Sequence, residues 1–324
     1  MGKAVITPTE LAQSAHKFRK ELIQVPMHAM RETTQYMTVR TGIRYKETVG
    51  ELSGDIDLGP YSETRIDNNN NINIKGRTLE TFLGSVVKKF SPNSVVKSIY
   101  DSAITKGEQL TNVEIARRVL AFLSAKLGHN LASHIFNAVR NDNGTTSADL
   151  FNGFDTITAS EIGAATPTIS TTIGNRFNFT AAISANNAID QITALCEAAS
   201  GLLVSGARKV NMYCAPAIYR AYLKDYQASN GALPYNTEFR KAVVEGFEQV
   251  NFVPLYNMAA SPYVYISPAS NMLVGCNLEG EEEDIRIEKH EAFVLQYIAT
   301  MFFGVQFESI APENLMVGVL YTGS

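Results

Sequence analysis

The chain has 324 residues, of which 45% are hydrophobic and 19% are charged, with a formal net charge of −4. This length allows two domains, or one elaborate domain with a large core. The net negative charge gives no reason to expect a nucleic-acid reader, because such domains usually carry a basic face. The cysteines Cys196, Cys214 and Cys276 are far apart and show no CxxC spacing, so we expect buried, reduced thiols.

The first segment, residues 1–37, predicts an amphipathic helix with little other chain around it. Thr7 can cap this helix, Pro8 suits its first turn, and Glu10 completes a capping box. Its apolar face consists of four residues at helical spacing: Leu11, Ala15, Phe18 and Leu22. Because a lone helix of this length is marginal in water, we expect it to dock on its own chain or on a neighbour.

The distribution of charged and apolar residues shows no recognisable signal for export or membrane insertion. The charged residues among positions 1–25 leave no apolar core for a secretory signal. The longest uncharged, mainly apolar run, Ala292–Phe307, is shorter than the roughly 20 residues that a membrane-spanning helix needs. We therefore expect a soluble protein that is made inside a cell and has no membrane partner.

Residues 38–78 predict strands that are interrupted by turns. Residues 38–40 and 43–46 have strand character, several glycines and the run Asn68–Asn71 then break the chain, and residues 72–75 alternate again. The segment has few large apolar residues and cannot hold a core of its own. It is therefore either a disordered insertion or an extended hairpin that projects and lies on a partner.

Helices are expected after this loop. Residues 79–90 (LETFLGSVVKKF) are amphipathic and predict a helix, and residues 94–102 suggest a second short one. Residues 111–140 predict one unbroken helix of about 45 Å, with a capping box at its start and turn formers after its end. Its expected apolar stripe, widened by Phe122 and Phe136, consists of Ala116, Val119, Leu120, Leu123, Leu127, Leu131, Ile135 and Val139.

The second half of the chain predicts mixed strands and helices. Residues 145–178 predict short strands and turns without helix. Helices are expected at 184–201 and 215–226, a short helix or turn at 239–246, and strands at 210–214, 250–254, 263–266, 272–274, 285–287, 293–307 and 315–320. Because strands and helices do not alternate regularly, the predicted fold class is α+β, and a doubly wound sheet is not supported.

Metal and phosphate sites are weakly indicated at most. His129 and His134 are five residues apart, about 140° around a helix, and so do not aim at one metal. The acidic turn at 279–284 has neither the glycine position nor the alternating ligand spacing of a calcium loop. Residues 201–208 have phosphate-loop glycine spacing but lack its Lys-Ser/Thr pair. We therefore predict no metal and no cofactor.

Candidate nucleophiles are equally sparse. No GxSxG elbow occurs in the sequence. Cys214 precedes a helix start, where a thiolate could be stabilised, but no histidine is near it in sequence. We therefore predict that the chain is not an enzyme and has no catalytic residues. What calls for explanation is its surface: a docking arm, a loop without a core and a long helix.

Four stretches carry a family resemblance: residues 210–226 (VNMYCAPAIYRAYLKDY), 253–258 (VPLYNM), 267–275 (SPASNMLVG), and 303–305 leading to 311–314. Together with the order of the elements, they resemble the major capsid proteins of tailed phages, the Hong Kong ninety-seven-like fold. The resemblance implies an N-terminal arm at 1–37, an extended β-hairpin loop at 38–78, a peripheral domain at 79–149 and 286–324 with a spine helix at 111–140, and an axial domain at 150–285.

The resemblance also implies a function. The chain would self-assemble as pentamers and hexamers into the icosahedral capsid of a bacteriophage or prophage, and would enclose double-stranded DNA without sequence-specific binding. A scaffold, a portal and a maturation protease are the implied partners. The implied location is the virion capsid, after assembly in the bacterial host cytoplasm. Lys46 and Lys75 are available for a covalent cross-link, but no motif identifies an acceptor, so we predict none.

Two alternatives remain open at this point. An encapsulin-type nanocompartment shell has the same fold but a protein cargo, and the length of the 38–78 loop favours a phage capsid over it. An uncharacterised soluble enzyme, with a site assembled only in three dimensions, is the other alternative. A pocket with convergent titratable groups would support the enzyme.

Overall fold

The computed structural model describes residues 29–53, 61, 73–90, 112–205, 208–230, 243–276, 285–291 and 294–322. The first half contains strands β1 (Thr38–Thr41), β2 (Lys46–Ser53), β3 (Asn73–Glu80) and β4 (Phe82–Phe90), and helices α1 (Asn112–Ser133) and α2 (Phe154–Gly163). The second half contains β5 (Arg176–Asn178), α3 (Ala188–Ala198), α4 (Gly201–Val204), β6 (Val210–Cys214), α5 (Pro216–Asn230), β7 (Val243–Val244), β8 (Phe247–Pro254), β9 (Tyr263–Ser267), β10 (Met272–Cys276), β11 (Ile285–Glu291), β12 (Val294–Phe307) and β13 (Met316–Val319).

The long strand β12 organises the first sheet. It pairs antiparallel with β4 along one edge and with β11 and β10 along the other, and β10 in turn pairs in parallel with β1. Phe303, Val305 and Phe307 point to one face of β12 and are buried in the main core. The strand predicted at 293–307 from its period-two apolar pattern is therefore confirmed.

A second sheet lies between two hydrophobic cores. Within the described residues its strand order is β5-β13-β9-β6-β8-β7. Tyr265 of β9 packs in the main core, whereas its neighbours Val264 and Ile266 pack in a second core with α3 and α5. The same alternation holds in β6, where Tyr213 and Met212 face opposite cores. Because successive side chains point to opposite faces of a strand, each face of this sheet packs against a different core.

The predicted helix 111–140 is too long. Helix α1 covers Asn112–Ser133, and the chain then turns at residues 134–137. The carbonyls of Ile135, Phe136 and Ala138 accept hydrogen bonds from the backbone N–H groups of residues 154, 155 and 153, at 3.2, 2.9 and 2.8 Å. Long-range backbone pairing therefore replaces the last helical turns. Val139 lies beyond the end of α1 and is 58% exposed, and Phe122 within α1 is 68% exposed, although both were placed on the apolar stripe.

Residues 79–90 form strand, not the predicted helix. Strand β3 ends at Glu80 and β4 begins at Phe82, and β4 then pairs with β12 from Phe303↔Phe82 to Leu295↔Phe90. Gly84 and the adjacent valines disfavour helix and fit a pleated sheet, and that local preference agrees with the tertiary pairing. The corner at Thr81 lies against Gly304, where a Cβ atom would come within 2.0 Å of the Glu80 carbonyl oxygen.

The other secondary-structure predictions were wrong in one region, confirmed in others, and outside the described residues in the rest. Residues 145–178 contain helix α2, so the expectation of strands and turns alone was wrong there. The predictions of helix at 184–201 and 215–226, and of the strands between 210 and 320, are confirmed within one to four residues at most ends. The predicted helices at 7–22 and 94–102 and the acidic turn at 279–284 lie outside the described residues.

Candidate assembly surfaces

A two-stranded hairpin extends from the base of the main sheet. Strands β2 and β3 pair antiparallel from Lys46↔Glu80 to Ser53↔Asn73. This pairing confirms the extended hairpin expected within residues 38–78, although β1, from the start of that range, belongs to the main sheet. A two-stranded ribbon alone is marginally stable, so its base must be tied to the body.

Ion pairs tie the hairpin to the body on both strands. Arg77 Nη2 of β3 lies 2.7 Å from Glu161 Oε1 at the end of α2, and 3.1 Å from Gln306 Oε1 of β12. Arg40 of β1 bridges Glu47 of β2 and Glu308, each at 3.4 Å. These contacts join β2 and β3 to three other parts of the molecule.

The Arg77–Glu161 pair is the more buried of these contacts. The side chains of Arg77 and Glu161 are 15% and 23% exposed. Burial by itself would raise the pKa of Glu161, but hydrogen bonds from Thr168 and Arg77 and the charge of Arg77 together hold that pKa below its usual value. Glu161 is therefore ionised at neutral pH, and we call this contact the hairpin latch.

One face of the main sheet presents apolar side chains to solvent. Leu83 and Val87 of β4 are 53% and 56% exposed. They lie opposite Phe302 and Ile298 of β12, and directly opposed residues share a face of the sheet. Helix α1 packs on the other face, where Ser124 Oγ lies 3.0 Å from the Tyr297 hydroxyl. We call Tyr45, Leu83, Val87, Ile298 and Phe302 the outer apolar stripe.

Tyr45 adds an aromatic side chain to one end of the outer apolar stripe. Its ring meets Phe302 edge-on, with 5.1 Å between centroids, and is 65% exposed. Its backbone φ is +68°, which is uncommon for a residue other than glycine, asparagine or aspartate. Its carbonyl accepts a hydrogen bond from the Thr81 N–H at 2.7 Å. Tyr45 thus combines an uncommon backbone conformation with an aromatic ring exposed on the surface.

The predicted nucleophile and metal candidates do not form a site among the described residues. Cys196, Cys214 and Cys276 are buried and unpaired, and burial raises the pKa of each thiol to about 12. Cys214 is therefore a thiol and not a nucleophilic thiolate. His129 and His134 do not converge, and no group of His, Cys, Asp or Glu in this part of the chain could hold a metal ion. The 279–284 turn lies outside that part.

A cavity of about 360 Å³ beside the hairpin base contains titratable groups, but they already pair with each other. Its lining includes Arg77 and Glu161, which form the hairpin latch, and Glu80, which lies 2.5 Å from Lys46.

In the described residues no helix is both long and apolar enough to cross a membrane.

Sequence reasoning missed a buried polar cluster on α2. The Tyr265 hydroxyl donates to Asp155 Oδ1 at 2.7 Å and lies 3.2 Å from Thr158 Oγ1, and all three side chains are buried. Burial raises the pKa of Asp155, although hydrogen bonds from Tyr265 and Ser261 act in the opposite direction. No local sequence signal could have found the cluster, because Tyr265 lies more than 100 residues from Asp155 and Thr158.

Comparison with known proteins identifies the fold. No protein-family profile and no curated protein matches the sequence. The capsid of a native GTA particle aligns with a TM-score of 0.59 and 13% identity, over 90% of this chain and 91% of that one. The capsid of cyanophage A-1(L) aligns with a TM-score of 0.59 and 11% identity, over 93% and 94%. The chain has the fold of phage capsid proteins.

Two further capsids also align with this chain. The satellite phage P4 procapsid aligns with a TM-score of 0.52 and 12% identity, over 91% of this chain and 98% of that one. The capsid of phage XM1 aligns with a TM-score of 0.52 and 12% identity, over 89% of this chain and 91% of that one. The likeness covers about nine-tenths of this chain, so the predicted α+β capsid fold is confirmed. Identities of 11–13% establish the fold, while the role of each surface follows from its own chemistry.

Proposed function

We propose that the chain is a structural subunit that self-assembles into the capsid shell of a tailed bacteriophage or prophage and encloses its DNA genome. The observation that carries the proposal is the likeness to phage capsid chains over about nine-tenths of both partners. The hairpin and the outer apolar stripe support it, because both present backbone or apolar surface that a second copy would cover.

The proposed domain division follows the order of elements along the chain: an arm at 1–37, a loop at 38–78, a peripheral domain at 79–149 and 286–324, and an axial domain at 150–285. The second core supports the axial part of this division. It is built almost entirely from residues between Phe177 and Ile266, within the proposed axial domain. The main core combines α1 and β12 of the proposed peripheral domain with α2, β9 and β10 from residues 150–285, so it joins the two proposed domains.

We infer that the partners are further copies of the same chain, arranged as pentamers and hexamers, with a scaffold, a portal and a maturation protease acting during assembly in the host cytoplasm. The P4 procapsid in the comparison includes a size determination protein, which makes a separate assembly factor reasonable here. The net charge of −4 suits a shell that confines DNA by closure and does not read its sequence. Such a subunit needs no enzymatic activity.

Electron microscopy of the purified chain tests the proposal. We expect rings or closed shells from the wild-type chain. The double variant Leu83→Asp with Val87→Asp should stay folded but unassembled, because burying unpaired carboxylates at an interface costs several kcal/mol. Ser160→Asp, which places a single carboxylate on an exposed residue of α2, is the control and should assemble normally.

Three outcomes would each contradict a different part of the proposal. A wild-type chain that stays strictly monomeric at high concentration would show that it does not self-assemble. Normal shells from the double variant would show that the outer apolar stripe is not an interface. Shells that contain a cargo protein in place of nucleic acid would identify the chain as a nanocompartment subunit.

A further inference from the structure

A groove lies on the face of the main sheet that α1 covers. It has a volume of about 660 Å³ and runs between β4, β12 and the C-terminal turns of α1. Its apolar lining includes Val86, Leu127, Leu131, Leu150, Ala299 and Met301. A groove of this size and composition is suited to apolar side chains of a docked segment. We call it the inner groove.

The remaining wall of the inner groove is a rigid, acidic loop at residues 140–149. Asp149 Oδ2 accepts hydrogen bonds from the backbone N–H groups of Thr145 and Thr146, at 3.2 and 3.0 Å, and from the Thr146 hydroxyl. Those hydrogen bonds from Thr146 lower the pKa of Asp149, so it is ionised at neutral pH. Arg140 pairs with Asp142 at 2.5 Å, and Asp149 therefore leaves this wall with an excess negative charge.

Arg140 also fixes the loop to the sheet. Its guanidinium carbon lies 3.6 Å from the centre of the Phe82 ring, and its Nη1 donates to the Leu150 carbonyl at 2.9 Å. The wall is thus held in place before anything binds, which lowers the entropic cost of docking.

The described chain begins near the C-terminal end of α1, whose last turns line this groove. Residues 29–34 are helical, and Met30 is fully buried in the main core with Leu131. Asn257 Nδ2 joins this helical segment to the end of α1, because it donates to the Ala132 carbonyl at 2.7 Å and to Thr33 Oγ1 at 3.2 Å. Residues 1–28 therefore attach next to the turns of α1 that line the inner groove.

The arm matches the groove in length, apolar pattern and charge. If the arm is helical, its apolar residues from Leu11 to Leu22 extend over about 16 Å. The groove wall from Leu127 to His134 extends over about 10 Å, so about two helical turns of the arm would fit in the groove. Residues 1–28 carry four basic side chains, Lys3, Lys17, Arg19 and Lys20, against the two acidic ones of Glu10 and Glu21. Arg19 follows Phe18 by about 100° around the helix, at the edge of the apolar face.

We propose that residues 1–28 dock in the inner groove of their own chain, with Phe18 and its apolar neighbours on the groove floor and Arg19 towards the acidic loop. The tether favours this arrangement, since covalent attachment beside the groove gives the arm a high effective concentration there. Docking within one chain does not depend on shell formation, so this proposal and the proposed function can fail separately.

Intrachain cross-linking tests the docking. Ala15→Cys in the arm and Asn130→Cys on the exposed rim of the groove would be joined by a short bismaleimide, with the full-length double variant mixed into an excess of wild-type chain. The native cysteines should not react, because they are buried and burial raises each thiol pKa to about 12. We expect about tenfold more intrachain product than from Ala15→Cys with Ser160→Cys, which is exposed on α2 away from the groove.

A second pair of variants tests the apolar contact. Phe18→Asp in the double-cysteine chain should reduce the intrachain product about tenfold or more, since even 1.4 kcal/mol of lost docking energy has that effect. Gln13→Asp introduces the same charge on the opposite face of the arm and should leave the product unchanged. Cross-links that disappear on dilution with wild-type chain would overturn the proposal by assigning the arm to a neighbour. Equal products from the groove and control pairs would overturn it outright.

Discussion

Gly153 occupies a position where the backbone of two segments nearly touches. A Cβ atom there would lie 2.2 Å from the Phe136 carbonyl oxygen and 2.5 Å from its carbonyl carbon. The Gly153 N–H donates to the Ala138 carbonyl at 2.8 Å, so the close approach belongs to the pairing that ends α1. Because both contacts are with backbone atoms, no side-chain rotation can relieve a clash.

Gly153→Ala is therefore expected to destabilise the fold by about 2–3 kcal/mol, as overpacked core substitutions do. Gly163→Ala is the matched control. A Cβ atom at Gly163 meets nothing within 4 Å, and alanine is favoured over glycine in a helix. Thermal or urea unfolding would measure both free energies. Equal stability of the two variants would contradict the close approach of residues 136 and 153.

Asp155 is a buried carboxylate whose folded pKa is raised by desolvation. A carboxyl group with a raised folded pKa costs stability when it is ionised, and the cost is relieved as pH falls through that pKa towards the unfolded value. Asp155→Asn keeps an oxygen that can accept the Tyr265 hydroxyl hydrogen bond and removes the charge. We expect the variant to be more stable by on the order of 1 kcal/mol at pH 7, with a smaller difference at pH 4.

Urea unfolding of wild type and Asp155→Asn across this pH range would measure the effect. Asp155→Ala is the comparison, since it removes the acceptor as well and leaves the buried Tyr265 hydroxyl with less hydrogen bonding. A difference between wild type and Asp155→Asn that grows as pH falls would contradict the raised pKa.

The hairpin is the element whose position depends most on a few contacts. The latch between Arg77 and Glu161 is partly buried, whereas the Lys46–Glu80 pair is exposed, with side chains 67% and 39% accessible. Exposed ion pairs contribute little, and partly buried charged hydrogen bonds contribute more. The two pairs therefore offer a direct comparison within one element.

Arg77→Gln is expected to cost about 1 kcal/mol and to increase hydrogen exchange in β2 and β3, while Lys46→Gln should cost less than about 0.5 kcal/mol. The latch should also respond to pH. Because the folded pKa of Glu161 is lowered, its contribution is present above the ordinary pKa of a glutamate and is lost as pH falls through the lowered value. Equal exchange rates in both variants would show that the latch does not hold the hairpin.

Strand β4 shows how an element can be misread from local pattern. Residues 79–90 satisfy a helical apolar spacing, but β12 offers nine paired positions from Phe82 to Phe90. A strand beside a long apolar partner can bury one face and complete its backbone hydrogen bonds. The helix prediction used only the local spacing of apolar residues, so it could not take the pairing with β12 into account. The end of α1 was misplaced for the same reason, because the carbonyls of the residues just after it, between 135 and 138, bond to residues 153–155.

At the scale of the whole molecule, the hairpin projects from a body that has its own cores. Replacing residues 51–75 with an Asn-Gly turn would join Gly50 to Gly76, which are paired across the ribbon, and would keep the latch. We expect a chain that folds with near-normal stability but does not close a shell, as judged by electron microscopy. A same-length replacement of 51–75 with Gly and Ser residues separates loss of length from loss of sequence. Normal shells from the shortened chain would contradict the hairpin's role.

The sequence by itself determined the α+β class, the long strand β12, the helices α3 and α5, and the order of elements that resembles phage capsid proteins. These features follow from local periodicity and turn residues, which depend on a few neighbouring positions. Only the tertiary structure decided where α1 ends, that β4 is a strand, and that Asp155, Thr158 and Tyr265 meet. Each of these depends on partners far away in the chain, whose contribution to hydrogen bonding and burial no local pattern contains.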